Sequence, residues 1–240
     1  MLRFKPYPGF TLFCAIMFAI LCGLGVWQGF IRLPRKLNLI ATMQSHMAAT
    51  PISPGEALRL SADDVQYRRV TLRGRFDNAK EAYVFTTGGG TGVYHVLTPF
   101  TDDDGRILIV DRGLVTKEHL DPVTRAAGDI PGEIQITGVW RTPDRAGFFT
   151  PPPDPAHRIW YIRDLAAIAA LDHVTLAAPV VIEADATPNP GGWPKGGQTV
   201  VDLPNNHLSY AVTWFGLAIC LLGVWLAYHI QKGRLAWGRG

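Results

Sequence analysis

The chain has 240 residues, with 23 Lys and Arg against 20 Asp and Glu, and apolar side chains make up 48% of it. A net charge of +3 with no concentrated basic stretch excludes nucleic acid as an expected partner. The three cysteines, Cys14, Cys22 and Cys220, all fall in apolar runs, which excludes disulfides and thiol-based copper handling in the segment between those runs.

In chain order, residues 1–9 form a short tail carrying Arg3 and Lys5. Phe10–Phe30 follows without any Asp, Glu, Lys or Arg and matches the about 20 apolar residues that a membrane-spanning helix needs. The run exceeds a signal-peptide core and no small-x-small site follows it, so it reads as an uncleaved anchor. Residues 31–50 carry Leu37, Ile40, Met43 and Met47 at helical spacing and predict a juxtamembrane helix, which Pro51 and Pro54 interrupt. Glu56–Leu60 is a short helical turn.

The middle of the chain reads mainly as strand. Arg69–Phe76, Ala82–Thr87, Tyr94–Phe100, Ile107–Val110, Glu133–Arg141 and Val180–Glu183 are separated by turn signals. Gly88-Gly89-Gly90-Thr91-Gly92 lacks the Lys-Ser/Thr ending of a phosphate loop and reads as a hairpin. Asp102-Asp103-Asp104-Gly105 lacks the rest of a calcium-loop pattern and reads as a solvated turn. Asp111-Arg112-Gly113 reads as the fixed end of a strand, and Arg112 and Arg141 as donors of ion pairs or partner contacts. Asp164 caps a short helix, Leu165–Leu171. Pro188–Gly197 reads as a linker into the second apolar run, 207–228, after which 229–240 forms a basic tail.

The expected fold is a membrane protein of the α+β class. Two transmembrane helices, 10–30 and 207–228, flank a mainly antiparallel β domain (31–206) with short helices, built as a small, partly closed barrel. The tails hold Arg3, Lys5, Lys232, Arg234 and Arg239 and no acidic residue. The positive-inside rule therefore places both termini in the cytoplasm and the domain outside. Arg32, Arg35 and Lys36 oppose this assignment, but long loops translocate largely regardless of charge.

The polar run Asn205-Asn206-His207 at the mouth of the second span is the strongest site signal, because polar groups there mark function by default. Helical spacing puts Tyr210, Ala211 and Trp214 on the face of His207. With the termini inside, Trp27 and Gln28 lie at the depth of His207, and Trp27, Gln28, His207 and Tyr210 are expected to form one polar-aromatic cluster. The small residues Gly25, Gly29, Gly216 and Gly223 suit close helix approach. Neutral His207 is a candidate axial ligand for heme iron, with Tyr210 and Trp214 flanking the ring and Arg32, Arg35 and Lys36 facing its propionates. The bland alternative is a helix-capping histidine with interfacial tryptophans. His46, His95, His119, His157, His173 and His229 read as surface or interfacial.

The chain also resembles the Surfeit locus protein 1 family, the cytochrome c oxidase assembly proteins of bacterial and mitochondrial inner membranes. The resemblance rests on Leu24-Gly25-Val26-Trp27-Gln28 with Arg32 and Lys36, on Tyr67, Arg69-Val70 and Gly74-Arg75-Phe76, and on Gly92-Val93-Tyr94. It continues through Thr98-Pro99, Val110-Asp111-Arg112-Gly113, Gly138-Val139-Trp140-Arg141-Thr142-Pro143 and Trp160-Tyr161-Ile162-Arg163-Asp164. Asn205 to Ala211 with Thr213-Trp214-Phe215 closes it. In three places the chain departs from the pattern. The interval from Trp27-Gln28 to Arg32 is one residue longer, Arg35 stands at an aromatic position, and Leu114 replaces a Trp.

The resemblance implies a non-catalytic factor of the bacterial inner membrane. Such a factor binds heme a transiently and delivers or inserts it into oxidase subunit I at the outer face, with heme a synthase and the lipid bilayer as further partners. A cofactor-free scaffold for assembly intermediates or for the synthase is the alternative. G-x-S-x-G and H-E-x-x-H motifs are absent, which argues against a hydrolase.

Overall fold

The structure is a computed structural model that describes residues 2–143, 146–199 and 204–237. In chain order it forms strand β1 (Leu2–Phe4), helix α1 (Pro8–Val26), a π-helix (Trp27–Arg32), α2 (Leu33–Ala48), α3 (Pro54–Ala57) and α4 (Ala62–Val65). There follow β2 (Arg69–Phe76), β3 (Ala82–Gly88), β4 (Thr91–Asp102), β5 (Ile107–Thr116), β6 (Ile134–Arg141), β7 (Ile159–Trp160), α5 (Leu165–Leu171), β8 (Val181–Ala184), α6 (His207–Gln231) and β9 (Leu235–Trp237). These elements make two compact units, residues 1–41 with 202–240, and residues 42–201.

In the first unit α1 and α6 run side by side in opposite directions. Both are long and apolar enough to cross a membrane, and only 11% of either apolar window is buried. Phe30 is 72% exposed and Ile219 69%, as side chains bathed in lipid would be. The seam between the helices is built from small residues. A Cβ on Gly25 would lie 2.8 Å from the Phe215 ring, and one on Gly29 would lie 3.3 Å from Ala211 Cβ. Close approach at Gly25 and Gly29 therefore follows the sequence reading, but Gly216 and Gly223 have no neighbour within 4 Å. The α6 side of the seam is carried instead by Ala211 and Ala218, seven residues apart, the spacing that keeps one face toward a partner helix.

The opposite end of the pair corrects the reading of His229. It is fully buried, not interfacial. Its Nδ1 lies 2.8 Å from the Trp225 carbonyl, and its ring stacks on Phe10 with centroids 6.0 Å apart. Next to it β1 pairs with β9, and Lys5 N–H donates to the Arg234 carbonyl at 2.9 Å. Residues expected as two free tails thus form a small sheet, because backbone groups near an apolar surface must find partners.

In the second unit, β2, β6, β8, β5 and β4 are hydrogen-bonded in that order, and β2 also pairs with β4, which closes a five-stranded barrel. β3 and β7 extend the sheet beyond β4. Pairing is antiparallel except for β5 with β8 and β3 with β7. The barrel interior is filled by Val70, Leu72, Phe100, Leu108, Val110, Trp140 and Ile182. A second core, including Leu97, Ile109, Trp160, Leu165 and Ile168, fills the space under α5. As expected, Asp164 caps α5, accepting from Ala167 N–H at 3.0 Å.

Two expectations fail here. β5 runs to Thr116, so Asp111-Arg112-Gly113 lies within the strand and not at its end. Residues 193–197 are not a free linker: Lys195 exchanges two backbone hydrogen bonds with Leu114, at 3.0 and 2.9 Å, and Trp193 stacks on His119 at 4.5 Å.

Barrel closure turns on Gly74, where β2 leaves Ile134 of β6 and joins Asp102 of β4. Its φ is +155°, and a Cβ there would lie 2.0 Å from the Thr101 carbonyl oxygen. Gly74→Ala is expected to destabilise the domain by about 3 kcal/mol, because neither backbone can retreat. Gly132→Ala, at a positive φ with nothing within 4 Å, should cost about 1 kcal/mol. Denaturant melts of the two variants check the difference.

Candidate functional site

At the other end of the seam, α1 passes into the π-helix Trp27–Arg32, where Leu33 N–H reaches back five residues to the Gln28 carbonyl. A wider turn of this kind takes up one extra residue without breaking the helix, and such turns concentrate at functional sites.

The π-turn aims Gln28 across the seam. Gln28 Oε1 lies 2.7 Å from His207 Nδ1, and His207 N–H is 3.4 Å from Asn205 Oδ1. An amide oxygen only accepts, so Nδ1 carries the proton and a neutral His207 keeps its lone pair on Nε2. Among the described residues none hydrogen-bonds Nε2. An imidazole held through one nitrogen with the other left basic is the arrangement of a metal-ligating histidine.

The remaining candidates make no hydrogen bond to this pair among the described residues. Trp27 is 42% exposed, and the Arg32 guanidinium sits 5.2 Å from its ring centroid. Tyr210 is 54% exposed, outside the seam, and Trp214 is half-buried. Of the expected four-residue cluster, Gln28 and His207 are joined by a hydrogen bond. One residue along α6 from Tyr210, Ala211 takes the seam position against Gly29.

A family model, the SURF1 family, matches residues 15–219. The chain is 37% identical over 228 residues to Surfeit locus protein 1 of Homo sapiens, covering 87% of this chain and 74% of that protein. It is 36% identical to Surfeit locus protein 1 of Takifugu rubripes, covering 88% and 92%, and 35% identical to that of Mus musculus, covering 88% and 72%. The chain belongs to the SURF1 family.

Several segments that carry the SURF1 resemblance meet in the second unit, where adjacent residues of β5 serve opposite sides of the strand. Asp111 Oδ2 is 2.8 Å from His95 Nδ1 and 2.8 Å from Arg163 Nη2. Arg163 also lies 3.2 Å from Glu183. Arg141 lies 3.6 Å from Glu183 and stacks over Tyr67 at 4.3 Å. His95, read as a surface residue, is half-buried in this network.

On the other side of β5, Arg112 is 1% exposed and lies over the Phe76 ring at 4.6 Å. It donates to Glu81 Oε1 at 3.0 Å and to the Gly128 carbonyl, while Arg125 donates to Glu81 Oε2 at 2.5 Å. Burial at this depth leaves Arg112 to ion pairing, not to partner contact. Gly113 then lets the segment 195–196 pass, since a Cβ there would lie 2.0 Å from the Lys195 carbonyl oxygen. Glu81 and Arg125 carried no sequence signal, because each is defined by a partner at least 31 residues away; Arg163 stood in a segment of the resemblance, with no role read for it.

Burial alone would raise the Asp111 carboxyl, but His95 and Arg163 outweigh it and hold the group below the ordinary carboxylate value. Burial, then the charge of Glu81, pushes the Tyr83 hydroxyl up to about 12. A carboxyl depressed in the folded state stabilises above its unfolded value and loses that contribution as pH falls through its folded value. The domain is therefore expected to lose stability from about pH 4 downward. Asp111→Asn should flatten that limb of the profile while lowering stability near neutrality, as followed by denaturant midpoints across pH. Glu81→Ala leaves two buried guanidinium groups without their shared carboxylate and should cost about 3–5 kcal/mol, measurable by the same melts.

Proposed function

We propose that this protein is an assembly factor for a heme-copper terminal oxidase, cytochrome c oxidase, that binds heme a transiently and hands it to subunit I. The observation that carries the reading is His207, fixed through Nδ1 by Gln28 at 2.7 Å with its second nitrogen left as a basic donor. Family membership and the two apolar helices support a membrane-bound role of this kind. In this reading both termini lie in the cytoplasm, the β domain lies on the outer face of a bacterial inner membrane, and heme a synthase is the source of the cofactor.

The donor set fits a heme. His207 Nε2 would hold the heme iron, and neutral imidazole is a common partner of heme iron. Gln28 fixes its tautomer and orientation, a role worth about 10–100-fold in metal affinity elsewhere. Trp214, half-buried on α6, and the exposed Tyr210 offer flat apolar surface beside the ligand. Trp27 holds Arg32 by its ring face, where the guanidinium can pair with a propionate. Heme a supplies the oxidase with its redox centre; the chain's own residues bind, orient and release it. A single protein ligand at the mouth of the helix would suit a carrier, because one bond to iron is readily exchanged. In this reading the protein is not an enzyme.

The test is the absorption spectrum of full-length protein purified from cells that make heme a. His207→Ala is expected to remove the bound heme, and Gln28→Ala to weaken its retention by about tenfold. Equal heme in the parent and His207→Ala would remove His207 from the ligand role. A parent protein free of heme would leave the scaffold reading in its place.

A further inference from the structure

The segment before β7 forms a tight turn of unusual chemistry. Thr150 N–H donates to the Gly147 carbonyl at 3.1 Å, and Gly147 N–H donates to Thr150 Oγ1 at 2.8 Å, so the turn is closed by two hydrogen bonds. Its central residues are Phe148 and Phe149, positions where Gly, Pro, Asn, Asp and Ser normally stand. The two rings meet edge to face at 5.1 Å and are 96% and 91% exposed. Among the described residues no large apolar side chain is more exposed, including those of the two helices suited to lipid. Where a local rule is broken so openly, a site is the usual reason.

The turn is also braced. Pro151, Pro152 and Pro153 restrict the segment that follows, and a hollow formed by these prolines, Trp160 and Tyr161 lies beneath it. The rings are therefore displayed by a pre-ordered support, which lowers the cost of burying them elsewhere.

We propose that the Gly147–Thr150 turn is a membrane wedge that inserts Phe148 and Phe149 into the bilayer on the domain's side of the membrane. The occupant is lipid because the tip makes no directional demand. From Ala146 to Pro153 there is no charged side chain, and the one hydroxyl, that of Thr150, is engaged within the turn. Phe, without the O–H or N–H of Tyr and Trp, has nothing to satisfy with a polar partner. The domain is covalently joined at both ends to the unit that holds α1 and α6, and tethering of this kind raises the effective concentration of a second membrane contact. The proposal rests on the reading of α1 and α6 as membrane spans.

The experiment uses full-length protein in phosphatidylethanolamine–phosphatidylglycerol nanodiscs. Cys14, Cys22 and Cys220 are replaced by Ala, and single spin labels are placed by Phe148→Cys, Phe149→Cys, Ile219→Cys and Val123→Cys. Each label is read by its collision rates with oxygen, which favours lipid, and with a polar nickel chelate, which favours water. The labels at 148 and 149 are expected to follow the label at 219, with oxygen dominant, and the label at 123, on a domain side chain 81% exposed, to be nickel-dominated. Nickel-dominated labels at 148 and 149 beside an oxygen-dominated label at 219 would overturn the wedge while leaving the spans intact. Shielding of 148 and 149 from both reagents would mean that a second copy of the chain covers the turn, and would also overturn it. A nickel-dominated label at 219 would overturn the span reading and the wedge together.

Discussion

Close approach of two helices is the constraint from which the candidate site follows. At Gly25 the volume of one methyl group is already occupied by the Phe215 ring, and at Gly29 a methyl group would press on the Ala211 methyl. Only at that spacing does a glutamine on one helix reach an imidazole on the other at hydrogen-bond length. The π-turn completes the geometry by rotating Gln28 into the seam. The far end of the pair is held by a different device, a buried imidazole among aromatic rings beside a short sheet. Polar contacts at both ends and small residues between them are what helix association in lipid requires, since apolar side chains gain little from one another there.

The β domain solves a separate problem. Its five-stranded barrel has an apolar interior, yet a carboxylate and two guanidinium groups are buried at Glu81, Arg112 and Arg125. Buried charge of this kind is costly unless every member is paired. Here the Glu81 carboxylate serves two arginines, Asp129 lies 3.7 and 3.9 Å from the same pair, and Asn78, a backbone carbonyl and an aromatic face complete the contacts of Arg112. The network therefore ties β3, β5 and the segment around Arg125 into one arrangement with few alternatives.

Local pattern carried much of this in the sequence. Arg69–Phe76 alternates cleanly and forms a strand of those bounds, and Asp164 with Leu165–Leu171 forms the capped helix that its spacing predicts. His207 and Gln28 were legible because polar residues in an apolar run have few innocent explanations. The failures share one cause. β7 has two residues and exists only because β3 offers an edge. The segment 193–197 reads as a linker by its Pro and Gly content, but Gly113 and Gly128 open space for its backbone. His229 reads as interfacial by its place in the chain, and aromatic residues more than 200 positions away enclose it. β5 seems to stop at an acidic, a basic and a glycine residue because propensity cannot see the partners that each one meets.

Adjacent, opposite charges inside a single strand have one more effect. Asp111 and Arg112 differ in sign and in the side of β5 they serve, so the strand carries a parity label. A slip of one residue in one direction would bring Arg112 toward Arg163 and His95, and a slip in the other would bring Asp111 toward Glu81 and the π face of Phe76. Either slip would set like charges together on one side of the sheet and put an uncharged residue, Gly113 or Val110, at the charged position on the other. Hydrophobic alternation alone would penalise that error by lost burial; the charge pair makes the strand self-proofreading as the barrel closes.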